Sequence, residues 1–411
     1  MMRREADLAR RQGRRFRFRN GTMDFDAGWV LGYSQLGGLA PGEVFECLDA
    51  IRDGDPKSWV RVFAEMAVLQ ENAALAAKNA VVAAGRFQAA AVAARAAWHL
   101  VDPLSDQAHQ LLARLEGCFQ EFLRVSRSPL MAAEIETAVG TLPAYVSAPI
   151  DGRTDDAERW LVVIGGGDTF REDLWFFGGG RALEAGFQVL LVDLPGQGAT
   201  PYRDLHFGEA TVLALRELLT RLRAGRPKAQ IALAGYSGGG YFTVKAIDDP
   251  ATAAAIRLDA LVASTPVSDM ARLIELGVPA LLRRPGSGLA RLATQLSARI
   301  SPVVAAALAK YRWQFGTDTV ADILPLAGGA GLVDTGRIDV PLLSIVGERE
   351  PEEAARQALA LHAEVAARHP QSRLVRFETW TGADAHCQVN NLRLAQDVTM
   401  TWLEEVFGPA D

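Results

Sequence analysis

The residues Gly235-Tyr236-Ser237-Gly238-Gly239 fit the pattern G-x-S-x-G. An apolar run, 230–234, precedes them and a helix-compatible segment follows. In a nucleophile elbow a serine sits on a strained strand-to-helix turn. Flanking glycines let the chain bend sharply enough to lift the hydroxyl clear of the backbone. A bare G-x-S-x-G also arises at ordinary glycine-rich turns, so the strand and helix around it carry the inference. Ser237 is read as a nucleophile that attacks a carbonyl carbon and forms an acyl-enzyme.

A serine needs a base. When the elbow is of this kind, the chain order is Ser, then acid, then His. His386, in Gly382-Ala383-Asp384-Ala385-His386-Cys387, lies just beyond the apolar run 373–377 and before a C-terminal helical segment. It is placed to take the Ser237 proton. His99 and His109 fall in a helical region, His206 precedes the elbow, and His362 and His369 fall on or just after a helix. The acid should follow the strand 342–346, in Gly347-Glu348-Arg349-Glu350-Pro351-Glu352-Glu353. The usual offset of three residues after the closing Gly selects Glu350. Glu348 and Asp269, the latter after the run 260–263, stay open as alternatives. The other acids of this run suit the first turn of a helix. The acid's role is to hold the His tautomer and stabilise the imidazolium.

A developing oxyanion needs N–H donors. One is the backbone of Gly238. The other should come from Gly167 or Asp168, in the loop Gly165-Gly166-Gly167-Asp168-Thr169 after the run 160–164. Such a donor is worth roughly 3–4 kcal/mol in the transition state. The glycines miss G-x-G-x-x-G, and no Gly-Lys-Ser/Thr follows, so a phosphate cradle is not expected. No His/Cys/Asp cluster has metal spacing, and neither a metal nor an organic cofactor is expected.

The elements that must position these groups fall into two parts. Residues 21–130 read as an all-helical domain. Asp55-Pro56 opens a helix, expected to end at Gly85. A second is expected over 86–100 and a third over 105–125. Residues 131–411 begin with short strands at 135–139 and 142–147, turned at Gly140. Six apolar runs then alternate with helical segments: 160–164, 187–192, 230–234, 260–263, 342–346 and 373–377. This is an α/β pattern, a mostly parallel sheet with helices on both faces. Residues 267–337 exceed what a crossover needs. With helical pieces at 287–298 and 302–312, they read as a helical insertion over the carboxyl ends of the strands, before the acid strand.

The chain has 411 residues, 49% hydrophobic and 22% charged, with a net charge of −6. This is globular composition, and its acidic balance argues against a nucleic-acid partner. The charge is unevenly spread. Residues 1–20, a basic arm, hold eight Arg against Glu5 and Asp7, a net of +6, so the rest carries −12. No apolar stretch follows the arm, so it is not read as a secretory signal. No run of about 18 apolar residues would span a membrane. Only Cys47, Cys118 and Cys387 occur, without framework spacing, so a reducing cytoplasm is the expected compartment.

The elbow, the Asp-Leu-Pro-Gly-Gln-Gly loop (193–198) and the Gly-Ala-Asp-Ala-His-Cys-Gln segment (382–388) resemble α/β-hydrolases with an N-terminal helical cap. That group includes dihydropseudooxynicotine hydrolase and the fungal polyketide-shortening hydrolases of melanin pathways. Gly-Gly-Asp-Thr-Phe-Arg-Glu-Asp-Leu (166–174) is similar to its oxyanion segment. The opening Asp55-Pro56-Lys57-Ser58-Trp59 and the Gly85 region are similar to its cap. The resemblance runs from about residue 25 and implies the α/β-hydrolase fold with a Ser-acid-His triad. In its best-understood members it implies hydrolysis of a carbon–carbon bond next to a ketone. Gly239-Gly240 departs from the commoner elbow, where a bulky residue is frequent, and a roomier pocket could follow.

The expected function is hydrolysis of a β-diketone or polyketide-like substrate in secondary metabolism. The same triad serves an esterase, thioesterase or lactonase, or an acyl-transferring cyclase. A non-catalytic binding module fits poorly with the intact set of Ser237, His386 and an acid. The partner is a small-molecule substrate or a carrier-bound acyl chain, and the resemblance allows a homodimer. Trp175, Phe176 and Phe177 after the oxyanion loop, Tyr311 and Trp313 in the insertion, and Tyr236 beside the nucleophile are aromatic pocket candidates. Structural packing is an equal reading for each. Asp24, Trp29 and Tyr33 are weaker candidates in the cap.

Overall fold

The computed structural model describes residues 15–154, 156–277, 301–329 and 331–408. Among the described residues eight strands form one sheet in the order β1-β2-β4-β3-β5-β6-β7-β8. They are β1 (Met131–Thr137), β2 (Gly140–Val146), β3 (Arg159–Ile164), β4 (Gln188–Val192), β5 (Gln230–Tyr236), β6 (Ala260–Ser264), β7 (Leu342–Gly347) and β8 (Arg373–Phe377). The β1–β2 and β2–β4 pairs are antiparallel, and every other pair is parallel. The runs of β3 to β7 are thus buried in a doubly covered sheet, as their unbroken hydrophobicity predicts, while β8 is a largely exposed edge strand. Alternate side chains of β3 go to opposite faces. Leu161 and Val163 join the core shared with the N-terminal helices, while Trp160, Val162 and Ile164 join the core on the other face.

The first hairpin begins earlier than the sequence suggests. The expected start is 135, whereas β1 starts at Met131, because Met131-Ala132-Ala133-Glu134 is largely exposed and shows no apolar–polar alternation. Gly140 opens β2 with φ 137°, a conformation glycine adopts without strain.

Among the described residues five α-helices precede the sheet: α1 (Gly21–Tyr33), α2 (Pro41–Ala50), α3 (Pro56–Ala76), α4 (Ala80–Trp98) and α5 (Asp106–Ser126). The α3 start matches the Asp-Pro signal, and Asp55 accepts from the N–H groups of Lys57 and Ser58. Its end does not match. The helix stops at Ala76, and Asn79 caps α4 by accepting from the N–H groups of Val81 and Val82. Gly85 therefore lies inside α4, with open space around it. The Asn cap was the stronger signal, and the expected helix over 86–100 is the later part of α4. Alanines 89–91, 93, 94, 96 and 97 are buried, which lets α4 approach α3 and α5 closely on two sides. The Trp59 indole N–H on α3 donates to the Ala96 carbonyl at 2.7 Å.

The segment 267–337 contains helices Met270–Gly277, Pro302–Phe315 and Ile323–Gly329. The expected helical piece at 287–298 lies outside the described residues. The piece at 302–312 is there and extends to Phe315. Among the described residues no helix is long and apolar enough to cross a membrane. Cys47, Cys118 and Cys387 are buried and unbridged.

Candidate active site

Ser237 stands between β5 and the helix Gly238–Lys245, with φ 58° and ψ −122°. Such backbone costs on the order of 1–3 kcal/mol and persists only where its surroundings impose it. Here they do. A Cβ on Gly235 would lie 2.2 Å from the Gly239 carbonyl oxygen, and one on Gly239 would lie 2.7 Å from the Gly165 carbonyl oxygen. The glycines of the elbow are therefore required by close backbone approach. The departure at Gly240 has the same cause. A Cβ there would meet the Thr265 carbonyl oxygen at 2.1 Å. Backbone fills that space, so Gly240 adds no room to a pocket, contrary to the expectation.

His386 Nε2 lies 2.9 Å from Ser237 Oγ, and His386 Nδ1 lies 2.7 Å from Glu350 Oε2. The three residues come from the segments that follow β5, β7 and β8. Glu350 accepts a second hydrogen bond, from the Thr265 hydroxyl, at 2.8 Å on Oε1. The two loops behind it are locked together. Arg349 Nε pairs with Asp384 Oδ2 at 2.6 Å, and the Arg349 N–H donates to the Asp384 carbonyl at 3.0 Å.

The alternative acids are engaged elsewhere. Glu348 is exposed and accepts from the Thr379 N–H and hydroxyl at 2.8 and 2.9 Å. Asp269 accepts from the Arg272 N–H at 2.9 Å, at the start of Met270–Gly277.

Burial pushes the Glu350 carboxyl upward. His386, the Thr265 hydroxyl and the Cys387 N–H more than offset it, so the pKa lies below the ordinary value. For His386, burial acts downward, while the Cys387 sulfur and the Glu350 carboxylate act upward. The net is a rise from 6.5 to about 10.

The glycine loop lies against the nucleophile. A Cβ on Gly166 would fall 2.5 Å from Ser237 Cβ and 2.6 Å from the Gly238 nitrogen. The Gly166 N–H is already used, donating to Thr169 Oγ1 at 2.9 Å. The Gly167 N–H finds no partner among the described residues, and its nitrogen lies 3.8 Å from where a Gly238 Cβ would stand. The Gly167 carbonyl accepts from Gln314 Nε2. The Asp168 carbonyl accepts from Arg95, and its carboxylate pairs with Lys310.

The aromatic candidates divide. Phe176 stacks on Tyr33 with ring centres 4.2 Å apart, and Phe177 lies 5.9 Å from Trp29 and 4.9 Å from Tyr236. Trp175 lies 5.3 Å from Phe122. These six residues and Trp29 pack the cap onto the core. Trp313 is buried between Trp98 and Tyr202, at 5.5 and 4.6 Å. Tyr311 is 36% exposed, and its ring comes within 3.9 Å of a Cβ built on Gly167. Its ring therefore lies against the glycine loop. Asp24 is removed from the site. Its carboxylate accepts from the N–H groups of Phe16, Arg17 and Phe18, so it anchors the end of the basic arm.

Sequence reasoning missed a small cavity beside Gly167 and Asp168, walled by Asp26, Trp29, Arg95, His99, Lys310 and Gln314. His99 lies 3.4 Å from Asp26, and burial keeps its pKa below the ordinary value. One signal was available. Arg95 is a lone cation in the run Ala-Ala-Ala-Val-Ala-Ala-Arg-Ala-Ala-Trp, the otherwise apolar last turns of α4.

Strand order, elbow and helical cover together define an enzyme scaffold of the α/β-hydrolase class. The pattern of the Alpha/beta hydrolase family matches residues 161–387, and the chain belongs to that family. Among curated proteins it is similar to hydrolase ORFZ of Pyricularia oryzae, 27% identical over 59% of this chain and 62% of that protein. It is also similar to alpha/beta hydrolase xenA of Xenoacremonium sinensis, 27% identical over 58% and 59%. The chain thus spans about six tenths of the length of the curated relatives it matches. Among solved structures, 2,6-dihydroxy-pseudo-oxynicotine hydrolase superposes with a TM-score of 0.64 at 19% identity, over 92% of this chain and 95% of that one. AbyA5 does so with a TM-score of 0.62 at 15% identity, over 91% and 96%. At such identities the two structures bear on the fold.

Proposed function

We propose that this hydrolase uses Ser237, His386 and Glu350 as a catalytic triad to cleave a carbon–carbon bond next to a ketone, in a β-diketone or polyketide-like substrate. The observation that carries the reading is the unbroken chain from Ser237 Oγ to His386 at 2.9 Å and from His386 to Glu350 at 2.7 Å, on a strained elbow.

Ser237 Oγ attacks the ketone carbon, and its proton passes to His386 Nε2. The carbonyl oxygen takes the negative charge, facing the N–H groups of Gly238 and Gly167. Collapse of this intermediate breaks the bond to the α-carbon. The electron pair leaves as an enolate, which His386 protonates. Water then gives a proton to His386 and attacks the acyl carbon. Ser237 leaves, recovers its proton, and a carboxylic acid departs. Glu350 keeps the imidazole in the needed tautomer and balances its charge.

Support for this substrate class comes from the subgroup resemblance of the cap and the oxyanion segment, on a fold shared with 2,6-dihydroxy-pseudo-oxynicotine hydrolase along nearly its whole length. The second reading, an ester, thioester or lactone hydrolase or an acyl-transferring cyclase, shares the acyl-enzyme. The experiment is incubation with a β-diketone and with acyl thioesters, with products identified by mass. Two fragments from the diketone support the first reading, and thioester turnover alone rejects it.

A further inference from the structure

Arg95 stands on α4, in the cap. Its Nε donates to Asp173 Oδ2 at 2.7 Å, and its Nη2 donates to the Asp168 carbonyl. The Phe170 N–H donates to the same Asp173 oxygen at 2.8 Å, and the Tyr33 hydroxyl to the other at 2.8 Å. The side chains of Arg95 and Asp173 are only 3% and 1% exposed. The guanidinium lies 4.6 Å from the ring centre of Phe170 and 5.6 Å from that of Trp29. One planar cation therefore ties both ends of the segment 168–173 to the cap.

A forked guanidinium fixes two acceptors at a set separation and angle, which an ammonium cannot do. A buried ion pair adds little net stability over a well-packed apolar substitute. Its geometry is then the better reason for its presence. What it fixes is the residue after Gly167. Lys310 meets Asp168 from the insertion, and Gln314 holds the Gly167 carbonyl. The loop so held lies against Ser237 and Gly238.

We infer that Arg95 is a positioning residue for the oxyanion loop. Through the Asp168 carbonyl and Asp173, the cap sets the direction of the Gly167 N–H relative to that of Gly238. Seating of the cap and competence of the oxyanion site are thereby coupled. The inference rests on the nucleophile reading above.

The test uses the full chain with Arg95→Lys, Arg95→Met and Tyr33→Phe. The lysine keeps a positive charge beside Asp173 but loses the fork to the Asp168 carbonyl. Tyr33→Phe removes one bond to Asp173 and leaves both Arg95 contacts. The readouts are kinact and KI for a fluorophosphonate, kcat and KM for p-nitrophenyl acetate, and Tm. For folded Arg95→Lys, kinact and kcat should fall about 10- to 100-fold, as for a misplaced oxyanion donor, with KI and KM within about threefold. Arg95→Met should be at least as slow. Tyr33→Phe should lower Tm while keeping most of kinact. Wild-type kinact in folded Arg95→Lys overturns the inference. So does a loss in Arg95→Lys and Tyr33→Phe that simply follows Tm. Wild-type protein left unlabelled at Ser237 would overturn the nucleophile reading itself, and this inference with it.

Discussion

Glu350 divides its carboxylate between two partners, with Oε2 2.7 Å from His386 Nδ1 and Oε1 accepting from Thr265 Oγ1 at 2.8 Å. Its side chain is fully buried, and Glu348 is turned away onto Thr379. Replacing Glu350 by Gln should lower kcat by about 10³- to 10⁴-fold, the scale seen when a triad acid is neutralised. Glu348→Gln should remain near wild type. Hydrolysis of p-nitrophenyl acetate measures both, and the reverse pattern would move the acid to Glu348.

Thr265 is the donor that completes this carboxylate. Thr265→Val keeps the shape and deletes the hydroxyl, leaving Glu350 Oε1 buried with one partner fewer. A buried acceptor left unsatisfied costs about 1–3 kcal/mol, so denaturant unfolding should show a loss of that order. Thr265→Ser, which retains the hydroxyl, should recover most of it. If Ser and Val are equally destabilised, the methyl group and not the hydrogen bond is what matters.

The pH profile follows from His386, which must be neutral to accept the Ser237 proton. Burial lowers its pKa, but Cys387 and Glu350 raise it further, to about 10. Activity should therefore rise with pH, and the acid limb of kcat/KM should lie above 6.5 in the wild type. Removing the Glu350 charge removes one upward influence. The limb of Glu350→Gln should move down in pH even as its plateau falls. A limb that stays in place would show that Glu350 does not set the His386 pKa.

The sheet and the Ser237-His386-Glu350 alignment were largely legible in the sequence, for different reasons. Runs such as 160–164 and 230–234 are buried on both faces, so hydrophobicity alone marks them. Glu350 follows from its offset after Gly347, because the turn closing β7 aims that residue and not Glu348 toward His386. The groups that hold the glycine loop were not legible. Arg95 meets Asp168 across 73 residues and Lys310 meets it across 142, and no local spacing records such pairings. The α3–α4 break was misplaced because Gly85 looked the stronger stop, although the side chain of Asn79 could cap and a mid-helix glycine is tolerated at about 1 kcal/mol.

Asp24 ties the basic arm to the cap. It accepts from the N–H groups of Arg17 and Phe18 at 2.9 and 2.8 Å and of Phe16 at 3.3 Å, and it is 4% exposed. Asp24→Ala leaves three buried or half-buried donors without it. Stability should drop by about 1–3 kcal/mol, with faster proteolytic cleavage near residues 15–20. Because Asp24 faces the arm and not the cavity beside Gly167, kcat for p-nitrophenyl acetate should hold at temperatures where the variant is folded. A selective loss of kcat with intact stability would return Asp24 to the site.

Gly166 and Gly167 are neighbours in the chain but differ sharply in what surrounds them. A Cβ on Gly166 would stand 2.5 Å from Ser237 Cβ and 2.6 Å from the Gly238 nitrogen, whereas one on Gly167 meets nothing among the described residues nearer than Tyr311 at 3.9 Å. Contacts under 3 Å with backbone and a rigid Cβ cannot be relieved by a rotamer change. Gly166→Ala must therefore push the glycine loop off the elbow and widen the gap between the Gly167 and Gly238 N–H groups. The expected loss in kcat is about 10²- to 10³-fold, as when an oxyanion donor is withdrawn. Gly167→Ala keeps its N–H and meets only a half-exposed ring, so its loss should be at least tenfold smaller on the same scale. Fluorophosphonate labelling rates of the two variants, compared at equal folded fraction by near-UV circular dichroism, measure the difference. Equal losses would mean that the loop is pliant and that the close approach at Gly166 does not set the geometry of the oxyanion site.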